Sequence, residues 1–423
     1  MKEYNYQNIP EDTHIMNNWT PLKFTIKDNY KYINKNPLLT IITNILALPI
    51  YLILYIHNKI FYGYKIMEAM IKIYPNDSFV LNYFNKGVDN FNKKRIYKLK
   101  KNNCAIIENN GSSTMYRILN LLFPLNYTKY FQNADIVYFC SFFLPRRTGT
   151  KCIFTIHDMV ATLYPETTKW INYLILKLEL KRSVKRADRI VTVSESSKND
   201  FVKLLNVPED NRDIVNPAYD KNIFNVNYNK DDILKCRIKF NINNEYILYV
   251  GTLEPRKNLV NLIKAYEQAF LFNKDIPQLV IAGGNGWKYE SIFEAADKCK
   301  LKNHIIFTGY IDDADVPLLM NGAMMFVFPS IYEGFGMPCL EAMACGTPVI
   351  TSNISSMPEV VGNAGILISP NSIEDISINM KRLFNDTTLR KRCREAGLER
   401  AKNFSWTKSA QKLHKVFEEV LSL

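Results

Sequence analysis

Residues 330–352 read SIYEGFGMPCLEAMACGTPVITS, and the apolar run MMFVFPS leads into them. A short apolar run that is bounded by a proline is typical of a fully buried strand. The letters PCLEAMAC have helical composition, with Pro338 suited to the first turn and Gly346 to the position after the last turn. The stretch therefore predicts a strand, a glycine loop and the N-terminus of a helix.

Two acids flank the glycine loop. Gly334 and Gly336 let the backbone approach a bound group, and the N–H groups of the first helical turn attract an anion such as phosphate. Glu333 lies at the strand exit and Glu341 one turn into the helix, where ionised carboxylates would accept hydrogen bonds from sugar or ribose hydroxyls. The pattern indicates a nucleotide-sugar site. The alternative is an ordinary strand–helix connection with two solvated glutamates.

Apolar runs alternate with amphipathic stretches from residue 246 onward. Unbroken apolar strands, each followed by a helix, predict a parallel sheet that is covered on both faces, here a Rossmann-like domain over 216–400. The strand-like runs are YILYVG, QLVIAGG, HIIFTGY, MMFVFPS, TPVITS and AGILIS. The runs NCAIIENNGSS, ADIVYFCSFF, KCIFTIHD and RIVTVSES repeat the pattern more faintly and predict a second Rossmann-like domain over 101–215. The chain is therefore expected to be an α/β protein whose two domains face each other across a cleft.

Residues 1–100 give no clear βαβ pattern and are expected to form a partly helical N-terminal extension that is a candidate for membrane contact. Within it, residues 65–91 predict two helices with a break at Pro-Asn-Asp. The final segment, 401–423, predicts one more helix.

The stretch 37–56 is long and apolar enough to cross a bilayer, yet Asn44 and Pro49 near its middle disfavour insertion. A buried or interfacial helix pair that breaks at Pro49 is favoured over a true span. Lys59 and Lys65, which follow, would suit a membrane surface.

The charge of the chain is uneven. Residues 1–200 hold 28 Lys and Arg against 15 Asp and Glu, whereas residues 201–423 hold 26 of each, so the first half carries the whole net charge of +13. This imbalance favours an anionic membrane surface or a phosphorylated carrier on one side of the molecule. Nucleic acid is disfavoured because no motif of a nucleic-acid-binding fold is present. The eight cysteines form no C-x-x-C pair and predict reduced, buried thiols of a cytosolic protein, and no histidine spacing predicts a metal.

Four separated motifs resemble the retaining GT-B glycosyltransferases of family 4, close to the mannosyl- and rhamnosyltransferase-like members of bacterial polysaccharide assembly. They are YVGTLEPRKNL (249–259), FTGYI (307–311), YEGFGMPCLEAMACGTPV (332–349) and SSMPEVVGNAG (355–365). The resemblance covers about 134–420 and implies the GT-B fold. The tail NFSWTKSAQKLHKVFEEVL is similar to the helix that crosses back onto the N-terminal domain in that fold.

The resemblance also implies roles for individual residues. Arg256 and Lys257 would clamp the donor diphosphate, and Glu333 would bind the hydroxyls of the donor sugar. His157 would reach the sugar across the cleft, through a ring N–H or through its backbone. These four form the expected catalytic set. The expected donor-binding residues are Gly251, Arg256, Lys257, Gly309, Tyr310, Ile311, Glu333, Gly334, Phe335, Gly336, Met337 and Glu341. The expected acceptor-side residues are Asn110, Gly111 and Asp158.

The function expected from this resemblance is transfer of a hexose, mannose-like or related, from a nucleoside-diphosphate sugar to a glycan or lipid-linked glycan with retention of configuration. No cofactor and no divalent cation are expected. The enzyme would act in the cytoplasm, peripherally on the inner face of the membrane. Two alternatives stay open. One is a membrane-associated scaffold subunit that keeps the nucleotide-sugar-binding fold without turnover, and the other is an integral protein with one span at 37–56.

Overall fold

The computed structural model describes residues 53–86, 90–112, 134–140, 144, 148–167, 170–206 and 212–423. All of these belong to one compact unit of the chain. The predictions for residues 1–52, which include most of the apolar stretch 37–56, lie outside the described residues. No helix within the described ranges has both the length and the apolar character needed to cross a membrane.

The described chain begins with a helix and a small βαβ unit. These elements are α1 (Ile53–Ile73), β1 (Phe79–Lys86), α2 (Asn90–Lys98) and β2 (Cys104–Ser112). The two strands pair in parallel, with Phe79 opposite Cys104. The second helix predicted within 65–91 is therefore wrong, because residues from Phe79 onward form a strand. Tyr83 is buried while Val80 is 57% exposed, and this two-residue alternation is that of a strand.

A four-stranded parallel sheet forms the core of the N-terminal domain. Its strands and neighbouring helices are β3 (Ile136–Phe139), β4 (Lys151–Ile156), α3 (Val160–Leu163), α4 (Trp170–Val184), β5 (Arg189–Thr192), α5 (Glu195–Leu205) and β6 (Arg212–Ile214). The strand order is β3-β4-β5-β6. Since the strands are parallel, the loops after β4 and β5 leave the sheet at the same edge.

A six-stranded parallel sheet forms the core of the C-terminal domain. Its elements begin with α6 (Lys230–Lys239), β7 (Tyr246–Val250), α7 (Leu259–Phe270), β8 (Gln278–Ala282), α8 (Glu290–Lys298), β9 (Ile305–Gly309), α9 (Asp315–Gly322) and β10 (Met325–Phe328). They continue with α10 (Met337–Ala344), β11 (Val349–Ser352), α11 (Met357–Val361), β12 (Ile366–Ile368) and α12 (Ile373–Asn385). The predicted strand, glycine loop and helix are β10, residues 329–336 and α10.

The strand order of this sheet, β12-β11-β10-β7-β8-β9, creates a switch point. The chain runs outward from β7 through β8 to β9 and then returns to the other side of β7 to form β10. The loops that follow β7 and β10 therefore diverge at a crevice, which is where open α/β sheets bind ligands. All four residues of β10 are buried, as expected for a strand that is covered on both faces.

The last two helices are α13 (Thr387–Ala401) and α14 (Trp406–Leu421). Helix α14 packs against the N-terminal part of the chain: Glu419 pairs with Arg189 of β5, and the Phe417 ring lies 5.7 Å from that of Tyr138 in β3. The Nε2 atom of His414 lies 2.9 Å from a carboxylate oxygen of Asp77, which follows α1. The final helix thus joins the two domains.

The cysteines and Lys65 bear on two sequence predictions. All eight cysteines are free and buried, which confirms the prediction of buried, unpaired thiols. Lys65 was expected to suit a membrane surface, but its ammonium lies 2.8 Å from a carboxylate oxygen of Asp220 and 2.9 Å from one of Glu68. Because these ion pairs hold the side chain within the fold, the expectation for Lys65 is wrong.

Candidate functional site

The loops after β7 and β10 meet at the switch point of the C-terminal sheet. The β7 loop contains a single 3₁₀ turn, Pro255–Lys257. Asn258 then adopts a left-handed conformation, with φ of +62°, and its side-chain amide donates to the carbonyl of Pro329 at 3.2 Å. The N–H of Ile331 donates to the carbonyl of Arg256 at 2.9 Å. The two loops are therefore fixed against each other.

Glu333 brings the two predicted cations together. Its Oε1 atom lies 2.5 Å from Nζ of Lys257 and 3.0 Å from Nη1 of Arg256, and it accepts a hydrogen bond from Ser330 Oγ at 2.6 Å. Arg256 also pairs with Glu254 at 2.5 Å. The three predicted residues, from loops 76 residues apart in sequence, form one ionic cluster.

Glu333 and Arg256 hold each other in their charged forms. Burial alone would raise the pKa of Glu333, but the charges of Arg256 and Lys257 outweigh it and lower that pKa to about 2. Burial lowers the pKa of Arg256, yet Glu333 and Glu254 raise it above its usual value. Groups with such pKa values do not exchange protons near neutrality, so the cluster can act by charge and hydrogen bonding.

The backbone of the glycine loop (residues 333–336) is held from both sides. Glu333 N donates to Ser355 Oγ at 3.0 Å, which anchors the start of the loop. Gly336 has φ of +104°, a left-handed conformation that favours glycine. Among the described residues, no group accepts a hydrogen bond from the N–H of Phe335, Gly336 or Met337. These three donors begin helix α10 and suit an anion.

Glu341 differs from Glu333 in its surroundings. Burial and the nearby charge of Asp313 raise its pKa to about 8, and no hydrogen bond joins its carboxyl group to the described residues. Asp313 follows Gly309, Tyr310 and Ile311, the segment that was predicted to bind the base. The structure thus brings Glu341 close to residues 309–311. A nucleoside could bind between them, with its ribose at Glu341 and its base at residues 309–311.

The predicted glycines and the base segment lie at the carboxyl edge of the sheet. Gly251 follows β7 with φ of +153°, and its N–H donates to the Ala282 carbonyl at 2.9 Å. Gly309 ends β9, and its carbonyl accepts from the N–H of Gly283 at 2.9 Å. Tyr310 is 68% exposed, whereas Ile311 is buried. The structure therefore places the predicted donor residues at one edge of one domain.

His157 and Asp158 follow β4 on the opposing domain. The Nε2 atom of His157 lies 2.8 Å from the carbonyl of Cys140, which can only accept, so this nitrogen carries the proton. This bond holds Nε2 to the histidine's own domain, and the expected contact of His157 with the donor sugar, through a ring N–H or the backbone, stays a prediction. Asp158 accepts a hydrogen bond from Val160 N at 3.1 Å and so shapes the turn. What touches the opposing domain is the His157 backbone: a Cβ atom at Gly334 would lie 3.1 Å from its carbonyl carbon.

Three further groups of hydrogen bonds join the domains beside this point, and none of them was predicted from the sequence. Met159 N donates to Tyr332 Oη at 3.2 Å. The hydroxyls of Ser194 and Ser197 donate to the carbonyl of Gly334 at 2.6 and 3.0 Å. The carboxylate of Glu359 accepts from the first N–H groups of α5, at 2.8 and 3.1 Å. We call these contacts the domain seam. The sequence did mark both sides of these contacts as loops at strand ends. VSES (193–196) directly follows a strand, and Glu359 lies in the motif SSMPEVVGNAG.

The predicted acceptor-side residues Asn110 and Gly111 lie in the two-stranded sheet near the start of the described chain. Both belong to β2, so the strand-like run NCAIIENNGSS forms a strand as predicted. In the described chain β2 pairs only with β1. That pairing continues to Ser112, opposite Lys86, and carries the strand past the glycine. A role for these residues in acceptor binding stays a prediction.

Comparison with known families finds two matches that follow each other along the chain. A model described as Glycosyltransferase Family 4 matches residues 94–222, and one described as Glycosyl transferases group 1 matches residues 231–400. The O-antigen chain mannosyltransferase B of Escherichia coli is 34% identical over 63% of this chain and 69% of its own length. The serotype-specific mannosyltransferase WbdA of Escherichia coli is 29% identical over 65% of this chain, which spans about a third (36%) of that longer relative.

Solved structures show the same fold. The crystal structure of Anabaena HepE in complex with UDP and glucose matches with a TM-score of 0.65 at 19% identity, over 84% of this chain and 96% of that chain. WaaG, a glycosyltransferase involved in lipopolysaccharide biosynthesis, matches with a TM-score of 0.60 at 17% identity, over 80% of this chain and 99% of that chain. These likenesses confirm the predicted GT-B architecture of two Rossmann-like domains.

Proposed function

The chain belongs to glycosyltransferase family 4, and we propose that it transfers a mannose-like hexose from a nucleoside-diphosphate sugar to a glycan or lipid-linked glycan. The observation that carries the proposal is the ionic cluster at the switch point, where Arg256 and Lys257 surround Glu333 beside the unbonded N–H groups of the glycine loop. The two Escherichia coli relatives described above are mannosyltransferases by name. The sugar given in their names, mannose, is the reason for proposing a mannose-like hexose here.

The cations would serve the departing diphosphate. As the bond between sugar and phosphate breaks, negative charge grows on the phosphate oxygens, and fixed cations in a water-poor site stabilise that charge. Arg256 is 10% and Lys257 11% exposed, so both charges are held in place before substrate arrives. The N–H groups of Phe335 and Gly336 would add hydrogen bonds to the same anion. We propose that these groups provide the positive charge of the reaction and that no metal ion is needed.

Glu333 would bind the sugar. All the contacts described above use its Oε1 atom, and its pKa of about 2 keeps it an acceptor. The Oε2 atom can then accept a hydrogen bond from a sugar hydroxyl. Retention by double displacement would need a carboxylate nucleophile at the anomeric carbon. We propose instead a front-face reaction, in which the departing phosphate takes the proton of the acceptor hydroxyl and the domains exclude water.

Glu341 and the segment after β9 would hold the nucleoside. The carboxyl group of Glu341, in the second turn of α10, would bind the ribose hydroxyls. The backbone of residues 309–311 would meet the base, and backbone contacts leave the identity of the base open. No cofactor takes part in this scheme, because the nucleotide sugar supplies both the hexose and the leaving group.

A membrane surface is the proposed setting. Helix α4 exposes Leu174 and Leu178, each by 41%, and the neighbouring Lys177 and Lys181 are exposed as well. Leucines beside lysines on one helix suit an anionic lipid surface. We therefore propose cytoplasmic action, peripheral to the inner face of the membrane, where a lipid-linked acceptor would be reached. Cosedimentation with anionic but not zwitterionic vesicles is the expected result, and equal recovery with both would contradict it.

A thermal-shift screen tests the donor site. The protein is titrated with UDP, GDP, dTDP, CDP and ADP, together with Lys257→Ala and the control Lys264→Ala, which alters an exposed lysine of α7. A ligand that binds only the folded state stabilises it by about 2.7 kcal/mol at a hundredfold excess over Kd. One nucleotide should stabilise the wild type and Lys264→Ala but not Lys257→Ala. If no nucleotide stabilises the wild type, the scaffold alternative becomes the better account.

A further inference from the structure

The carbonyl of Gly334 is bound by the opposing domain. Ser194 Oγ donates to it at 2.6 Å and Ser197 Oγ at 3.0 Å. Both serines are fully buried, with no exposed surface, so these hydroxyls are shielded from water. A buried carbonyl that receives two hydroxyl donors is held in direction as well as in position.

The direction of this carbonyl sets the direction of a neighbouring donor. In a trans peptide the C=O and the following N–H point in opposite directions. When the serines hold the Gly334 carbonyl toward the N-terminal domain, the N–H of Phe335 must point away from that domain. That N–H is the first of the three glycine-loop donors that bond to no described group.

We propose that Ser194 and Ser197 are positioning residues that aim the Phe335 N–H at the anionic leaving group of the donor. The inference rests on the proposed function, because it assigns that N–H to the diphosphate. The serines act through the Gly334 peptide and touch no substrate themselves. Their effect exists only while the domain seam is closed, since the hydroxyls and the carbonyl belong to different domains.

The two serines differ in their second contacts, which decides the choice of variant. Ser194 is also the N-cap of α5 and accepts from Ser197 N at 3.0 Å, so its loss would destabilise the helix. The hydroxyl of Ser197 has one further contact, the carbonyl of His157 at 3.3 Å. Ser197→Ala therefore removes a seam hydroxyl and leaves the cap intact.

The closed-state role predicts a split between binding and turnover. While the seam is open, a nucleoside diphosphate alone is held by Arg256 and Lys257, which need no contact with the serines. Turnover of a nucleotide sugar needs the aimed N–H while charge develops on the leaving group. Loss of one of two hydroxyl donors should therefore lower kcat by about tenfold and leave the Kd for the nucleoside diphosphate within about twofold of wild type.

The experiment measures Kd by calorimetry and kcat by release of nucleoside diphosphate from its hexose conjugate, for wild type, Ser197→Ala and Ser196→Ala. The probes are GDP-mannose, UDP-glucose, UDP-galactose and ADP-glucose with their diphosphates. Ser196 is the matched control, since its side chain makes no contact across the seam. Ser197→Cys replaces the hydroxyl with a somewhat larger thiol that is a much weaker donor, and it carries the test if the alanine variant does not fold.

A tenfold loss of kcat at constant Kd in Ser197→Ala, with Ser196→Ala like wild type, supports the positioning role. Unchanged kcat in Ser197→Ala overturns it. An equal loss of binding and turnover also overturns it, because general damage to the site would then explain both. If the wild type binds none of the diphosphates, both the proposed function and the positioning role are wrong. If the wild type binds one of them, the kcat of Ser197→Ala tests the positioning role alone.

Discussion

Replacement of Gly334 by alanine should push the two domains apart where the glycine loop contacts the backbone of His157. An added Cβ atom would overlap the carbonyl group of His157 and would lie 2.9 Å from Cβ of Asp158. Carbon atoms prefer a separation of about 3.5 to 4.0 Å, so the turn must retreat by about 1 Å. That shift would carry the 2.6 Å contact between Ser194 and the Gly334 carbonyl beyond hydrogen-bonding distance.

Displacement of this size should reduce turnover strongly. A misplacement of about 1 Å can cost about 100-fold in rate, so kcat of Gly334→Ala should fall by roughly that factor. The Kd for the nucleoside diphosphate should stay within about threefold, because Arg256 and Lys257 keep their positions. The thermal midpoint should change little, since both domain cores are untouched. Gly284→Ala is the matched control, because a Cβ atom there meets nothing within 4 Å.

The assay compares nucleotide release and calorimetric affinity in the two alanine variants and in wild type. Gly334→Ala with more than a third of wild-type kcat would refute the steric reasoning. A loss of nucleotide affinity as large as the loss of turnover would show that the substitution damages the C-terminal site itself and would refute the assignment to the seam.

Three further substitutions have distinct expected outcomes. Glu333→Gln should bind the nucleoside diphosphate at least as tightly as wild type, because the internal anion on Arg256 and Lys257 is gone, while kcat falls by about 100-fold; weaker calorimetric binding would contradict this. Glu359→Gln should lower kcat by about fivefold at constant Kd, since an amide offers one acceptor to the two N–H groups of α5; an unchanged kcat would argue against the seam. Glu341→Gln should raise the thermal midpoint relative to wild type, and increasingly so from pH 5 to pH 8.

The sign of the last prediction follows from the pKa of Glu341. Burial raises it from 4.5 to about 8 in the folded protein, so between these values the folded state keeps a proton that the unfolded state has lost. Stability of the wild type therefore falls as pH rises through this window, whereas glutamine has no proton to lose. Thermal melts at several pH values measure the difference. A difference that is constant with pH would mean that Glu341 is ionised in the folded state.

The sequence could predict which residues of the C-terminal domain lie together, because each loop is marked by a local pattern. Each apolar run marks a buried strand, and parallel strands end at one edge, so Lys257 and Glu333 could be expected near each other despite their separation. The ionic cluster between them could not be predicted in detail, because the carboxylate that was assigned to the sugar also neutralises the two cations. That balance depends on side-chain distances.

The pairing of residues across the domain seam could not be predicted, for a different reason. Gly334 and Ser194 lie 140 residues apart in separate domains, and nothing in either local pattern says that they meet. For the same reason the sequence does not predict the hydrogen bond between His157 Nε2 and the carbonyl of Cys140. Strand β1 was mistaken for a helix because a run of aromatic and aliphatic residues fits either period over eight residues.

The most direct test of the central claim is to follow the consumption of nucleoside-diphosphate hexoses by proton NMR and to identify the anomer that is released first. The account predicts that one donor, with GDP-mannose the first to try, is consumed, that the released hexose has the anomeric configuration of the donor, and that Lys257→Ala is inactive. Consumption with inverted configuration would contradict the proposed front-face reaction. Failure to consume any donor while nucleotide still binds would contradict the enzymatic function and favour a scaffold.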